Sequence, residues 1–275
     1  MSAPPLETLL ESAHVLPTLP QVVQHILETL NDDNAGADEL VQELNTDPAI
    51  VARLLAAANS SAFGLASKVA STRQAILVLG LGTVRTITLA TALMDRLGAI
   101  GGRDLWRHSL GVATCARTLA ESLGSNPETA FSSGLLHDIG QLLMLAVAPE
   151  SVAQAINRKR EHGEAIVTAE LAVFGYDHAT VGAELAKLWR LPGSIVGGIR
   201  AHHTPDSGDD GEMGDIIHVA EVLAHALDLG AIPNNRVPDV SEIALLRLGT
   251  DWPTLAGRFP GIEARYEGVR AALGL

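Results

Sequence analysis

From Phe131 to about Val147 the chain runs apolar at helical period, and in the middle of that run stand His137 and Asp138. Burying two titratable groups costs several kcal/mol unless they are paired, hydrogen-bonded or bound to a metal ion. A chain built this way must therefore bring polar partners from other segments into its interior. Adjacent helical positions point about 100° apart, so both side chains reach one ion where neighbouring helices converge. The plainer alternative is a core histidine hydrogen-bonded to its surroundings.

The rest of the core must come from small and aliphatic side chains. Apolar residues make up 47% of the 275, but aromatics only 3%, an alphabet that favours close helix packing. Net charge is −13 and there is no dense Lys/Arg run, so the chain repels a phosphate backbone and direct nucleic-acid binding is not expected. The single cysteine, Cys115, forms no internal disulfide and agrees with a reducing cytoplasm. Cys115 reads as a small buried apolar residue rather than a metal ligand. Arg85 interrupts the best apolar run, so no uncharged run is expected to reach membrane-spanning length, and the N-terminus is no signal peptide. The expectation is a soluble, cytoplasmic protein.

Leu16-Pro17-Thr18-Leu19-Pro20 is a stiff lead-in to a helix ending near Leu30, followed by a turn over Asn31–Gly36. Asp38–Leu44 makes a short helix, and Asp47-Pro48 reads as N-cap and first residue of the next. The pair resembles a helix-turn-helix, yet its second helix carries Arg53 as its only basic residue, which favours ordinary packing. Ser71-Thr72 caps a helix that Gly80-Leu81-Gly82 breaks before Thr83–Leu97. Gly98–Gly102 is a flexible joint. The predicted units are 1–100, a histidine-rich helical half at 101–230, and a C-terminal extension at 231–275.

In the second half a helix opens at Trp106 and ends near Leu123, and the His137-Asp138 helix runs to about Pro149. Helices over Ser151–His162 and Glu164–Phe174 come next, then one capped by Asp177 and another starting at Pro192. Asp206–Gly214 is an acidic, glycine-rich loop. The Asp215–Asp228 helix places His218, Glu221 and His225 on one side. Two weaker helices lie near Ser241–Leu248 and Gly261–Leu273. No period-2 strand is evident, and the expected fold is all-α.

His108, His137, Asp138, His178, His202, His203 and Glu221 offer nitrogen and oxygen ligands suited to Zn, Fe, Mn or Ni. Spread over several helices, they meet only if the helices form a bundle around them. His218 and His225 line that pocket or face solvent; His14, His25 and His162 read as surface residues. Arg200 beside His202 faces a bound phosphate or forms a surface ion pair.

Several segments in order resemble the HDOD family, the HD-related output domains of bacterial signalling. They are Leu16–Pro20, Asp47-Pro48-Ala49, Leu54–Ser60, Arg73–Gly80, Trp106–Ser109, Gly134–Gly140, Tyr176–Gly182 and His202-His203, within roughly residues 14–228. The resemblance implies an HD-type helix bundle with an additional N-terminal helical subdomain, acting as a signalling output or regulatory domain. Its expected partners are signalling proteins such as a receiver domain or sensor kinase, or a second copy of the chain, and not a membrane. The related HD and HD-GYP phosphohydrolases hold metals with these residue types and activate water against a phosphate ester. By that resemblance His108, His137, Asp138, His178, His202 and His203 fall on ligand positions, and His137 and Asp138 are the candidates for catalysis. Gln141 stands where the active relatives place a phosphate-holding lysine. Glu221 matches their final aspartate with one methylene more. Thr204-Pro205-Asp206 follows His203 in place of a Gly-Tyr-Pro motif, so specificity for cyclic-di-GMP does not carry over. These departures favour a regulatory domain over a metal-dependent phosphohydrolase of a nucleotide or cyclic dinucleotide.

Overall fold

Cap chemistry sets where many of the helices begin. A computed structural model describes residues 3–12, 29, 37–61, 63, 68–97, 102–207, 211–230 and 235–275. The N-terminal half contains α1 (Leu6–Glu11), α2 (Ala37–Leu44) and α3 (Pro48–Ala58). Asp47 accepts hydrogen bonds from the Ala49 and Ile50 N–H groups, satisfying two of the free donors at the start of α3. Ile50, Leu54, Ala57 and Ala58 form the buried face of that helix. α4 (Thr72–Leu97) is kinked where Gly80 takes φ 74° and ψ 157°, a conformation that glycine supplies without steric cost. A Cβ there would overlap the Glu128 carboxylate.

The second half is α5 (Gly102–Leu123), α6 (Pro127–Leu136), α7 (Ile139–Val147), α8 (Pro149–His162), α9 (Ile166–Phe174), α10 (His178–Leu188), α11 (Gly193–Ala201) and α12 (Gly211–Ala226). Asn126 caps α6, and Asp177 caps α10 through the Thr180 N–H. α5 packs on α6 and α12, α11 on α10, α12 and α6, and α7 on α10. The histidines project into the middle of this group. α4 lies against α6 and so joins the first half to the second. The tail forms α13 (Glu242–Arg247), α14 (Trp252–Ala256) and α15 (Phe259–Leu273), the last packed on both α3 and α5. No strand occurs among the described residues, and the fold is all-α.

Three expectations need correction and one needs qualification. His137 and Asp138 do not lie inside one helix: α6 ends at Leu136, α7 starts at Ile139, and the doublet occupies the turn between them. Asp138 has the position of an N-cap, but its side chain makes no cap hydrogen bond and is free to point elsewhere. Secondly, Thr72–Ala92 and Pro127–Val147 are long and apolar enough to cross a membrane, but each carries charged residues, Arg73 and Arg85 in one and Glu128 and Asp138 in the other, so no uncharged run of that length occurs in them. Of these windows 61% and 78% are buried within the protein, which accounts for their apolarity. Arg85 is tolerated there because its guanidinium donates to the Trp189 and Arg190 carbonyls. Thirdly, the acidic loop is shorter than expected, since α12 already begins at Gly211 and Met213 is buried. Fourthly, α1 and α14 were not anticipated. The Leu16–Pro20 lead-in, its helix, the Asn31–Gly36 turn, His14, His25 and residues 98–101 of the joint lie outside the described residues.

Candidate metal centre

Close approach of α7 to α10 brings the first pair together. Gly140 lies against the His178 backbone, where a Cβ would collide with the His178 carbonyl oxygen. This contact draws Asp138, at the head of α7, toward His178, at the head of α10. Asp138 Oδ1 is 3.1 Å from His178 Nε2 and 3.8 Å from His202 Nε2, while Oδ2 is 3.3 Å from His137 Nε2. Across the bundle, Glu221 of α12 places Oε2 3.1 Å from both His137 Nε2 and His108 Nε2. Its other oxygen, Oε1, is 3.1 Å from His225 Nε2. His203 Nε2 is 3.0 Å from His178 Nε2, and His202 Nε2 is 3.3 Å from it. All seven residues singled out in the sequence therefore share one cluster.

The orientation of each ring follows from its second nitrogen. Nδ1 of His137 donates to the Gly134 carbonyl at 2.8 Å, and Nδ1 of His202 donates to the Ile199 carbonyl at 2.6 Å. Nδ1 of His178 donates to Glu170 Oε2 at 2.6 Å, and the His178 backbone N–H donates to the same oxygen at 3.0 Å. With Nδ1 protonated, a neutral ring carries its lone pair on Nε2, and all three Nε2 atoms point inward. His137, His178 and His202 are completely buried. His137 Nε2 has no hydrogen-bond partner of acceptable geometry despite two carboxylates within reach. A donor set of imidazole Nε2 and carboxylate oxygen, each oriented by its own hydrogen bond, is the chemistry of a transition-metal site. Among the described residues three groups satisfy the spacing: His178, His202 and His203 on one side, and on the other His108, His137 and Asp138 together with His108, Glu221 and His225.

Without an ion the charges settle among the protein groups. Burial opposes charge on His137, but the Asp138 and Glu221 carboxylates outweigh it and raise its pKa well above the usual value. His178 is likewise raised to about 10, Glu170 and Asp138 overcoming burial. His202 is lowered to about 3 by burial and by the cationic His137 and His178. His203 is lowered too, by burial and then by His202 and His178. Asp138 and Glu221 stay well below the usual carboxylate range, because their histidine partners exceed the cost of burial. A proton on His178 thus fills, in the metal-free chain, the gap between lone pairs that an ion also fits.

One participant, Glu170, was not identified from the sequence, and another, His225, was left between the pocket and solvent. Glu170, which fixes His178, is the sole charged residue of α9. That isolation within an apolar helix is the signal that marks it. His225 joins Glu221 one turn away and is braced by Asn235, whose Oδ1 is 2.5 Å from its Nδ1. His218 does not join them. Its Nδ1 donates to the His202 carbonyl and its Nε2 accepts from the Ser241 N–H. Cys115 is buried and lies outside the ligand groups. Arg200 pairs with Glu184 at 2.6 Å. His162 is exposed.

Residues 16–205 match the family model described as the HDOD domain. A solved protein of Shewanella amazonensis SB2B, provisionally named a phosphohydrolase, is 28% identical with a TM-score of 0.73, covering 96% of this chain and 97% of its own. A solved HDOD domain protein of Geobacter sulfurreducens, of unknown function, is also 28% identical with a TM-score of 0.73, covering 97% and 99%. Ribonuclease Y of Syntrophobacter fumaroxidans is 30% identical over 164 residues, or 60% of this chain and 25% of its own length. The chain spans between 25% and 37% of the first curated relatives that it matches.

Proposed function

The chain belongs to the HDOD family, and on that premise we propose that it is a signal-transduction output domain of the response-regulator type that works through protein partners and holds a divalent metal ion in its histidine cluster. One observation carries the metal. His178 Nε2 faces the Nε2 atoms of His202 and His203 at 3.3 and 3.0 Å, while the Nδ1 protons of His178 and His202 are committed to Glu170 and Ile199. With both of those Nδ1 protons committed, the neutral rings of His178 and His202 aim Nε2 lone pairs at each other, and either a proton on His178 or a metal ion between the rings removes the repulsion. Zn–N bonds of about 2.0–2.1 Å at tetrahedral or octahedral angles hold two nitrogens roughly 2.9–3.4 Å apart, which matches this spacing. His178, His202 and His203, with Asp138 Oδ1, would hold one ion. His108, His137 and Glu221, with Asp138 Oδ2, would hold a second. The ligand types suit Fe, Mn, Zn or Ni.

A second reading, a metal-dependent phosphohydrolase acting on a nucleotide or cyclic dinucleotide, draws on the phosphohydrolase and ribonuclease names of two relatives. When bound, a divalent ion supplies Lewis acidity toward a phosphate ester. Two features weigh against turnover. Gln141 brings no positive charge to hold a phosphate, and complete burial of His137, His178 and His202 leaves only the partly buried His203 and His225 facing an incoming ester.

The test is metal content by mass spectrometry of protein purified without chelator. One or two equivalents are expected, and their loss in a folded His178→Ala/His202→Ala variant. Protein that comes metal-free and takes up none of the four added ions overturns the metal reading. The metal-loaded protein is then assayed on bis(p-nitrophenyl) phosphate and cyclic-di-GMP. Absence of turnover supports the output domain, whereas turnover lost in a folded Asp138→Ala variant replaces it with the hydrolase.

A further inference from the structure

A cavity of about 180 Å³ lies between α5, α7, α8 and α9, behind the His178 edge of the cluster. Its wall is mostly aliphatic, with Leu105, Met144, Leu145 and Ile156 among the lining residues, and its two polar lining residues are Gln141 and Glu170. Ile156 is 39% exposed, which sets the mouth of the cavity on the α8 side. Glu170 is 5% exposed and stands at the inner end. Its Oε2 takes both N–H groups of His178, and its Oε1 has no hydrogen-bond partner among the described residues. That oxygen is not among the fully enclosed atoms, so it opens onto the cavity, where Gln141 is the other polar lining residue and a donor that enters completes its hydrogen bonding.

We propose that this cavity is a binding site for a short unbranched aliphatic molecule ending in a hydrogen-bond donor, an ammonium or a hydroxyl, which seats its donor on Glu170 Oε1 and its chain among the aliphatic wall. The volume holds on the order of six non-hydrogen atoms at ~30 Å³ for each water-sized atom. A carboxylate-headed molecule of the same length is rejected, because two carboxylates would face each other. Since the same side chain orients His178, the ligand bears on the histidine cluster through one carboxylate. The inference goes beyond the proposed metal and stands without it.

The experiment follows the [13C]methyl resonance of Met144, which lines the cavity, in the full chain. Pentylammonium and 1-pentanol are titrated separately, with pentanoate alongside. A saturable shift with a dissociation constant on the order of 1 mM is expected for at least one donor-headed probe and none for pentanoate. The shift disappears in Leu145→Phe, which fills the cavity while keeping Glu170, and in the milder plug Val152→Leu if the first variant does not fold. No saturable shift up to about 50 mM overturns the proposal. So does a pentanoate response equal to that of the donor-headed probes, or a shift that survives in a folded plugged variant.

Discussion

Cys115 lies on α5, fully buried, and its thiol is pushed up by burial and by the nearby Glu221 carboxylate. The thiolate is the reactive form, so a raised pKa keeps the sulfur inert through the alkaline range where free thiols begin to react. Iodoacetamide should therefore leave Cys115 unlabelled in the folded protein at pH 7 and equally at pH 9, with labelling only after addition of denaturant. A labelling rate that climbs tenfold per pH unit in the native state would contradict this. At the same scale, chemistry was legible one side chain at a time, but partnership was not. His108, His137, Asp138, His178, His202, His203 and Glu221 stood out as residue types that a core rarely holds. Nothing in the chain told His225, which meets Glu221, from His218, which turns to the backbone of His202 and Ser241. Both lie on the same helical face, and the neighbours that decide between them come from other segments.

Between elements, the contact of α7 with α10 decides whether Asp138 reaches His178. Gly140 is where the two backbones touch. Gly140→Ala should lower the unfolding free energy by about 3 kcal/mol, because overpacking against a backbone carbonyl has no flexible side chain to absorb it. It should also weaken the metal site by separating Asp138 from His178. Urea denaturation reads the first effect and metal titration the second; an unchanged midpoint would remove the close-approach argument. Helix starts were readable where a cap residue marks them: Asp47, Ser71 and Asp177 each accept the expected backbone N–H. The kink at Gly80 was readable too. The break at His137-Asp138 was not, since an apolar run without proline reads as one helix. What ends α6 there is tertiary: the Asp138 carboxylate is drawn toward His137 and His178 rather than to the free amides of α7.

Across the whole molecule the aromatic-poor composition is answered by helices that approach closely and pack aliphatic side chains over both halves. The C-terminal helix takes part in that packing. Ile262 is fully buried where α15 meets α3 and α5. Arg265 reaches the Glu121 carboxylate at 2.6 Å, and Ser61 donates to the Ala264 carbonyl at 3.0 Å. Ile262→Ala should cost about 3 kcal/mol and shift the urea transition as a whole. Tryptophan fluorescence and far-UV circular dichroism should move together, because the helix touches both halves. Two separated transitions would mean that the tail is held independently.

That same docking sets an order on how the chain can come together. Ser61 and Ala264 are 203 residues apart, so the contact closes one of the longest loops the chain can form. Closing so large a loop carries an entropic cost that local helix pairing does not repay, and non-local contacts of this kind slow folding. On a ribosome the earlier helices emerge long before α15 and must wait with the seat for it uncovered. The turns of α15, made after the helices they join, are thus the ones that seal the first half against the second.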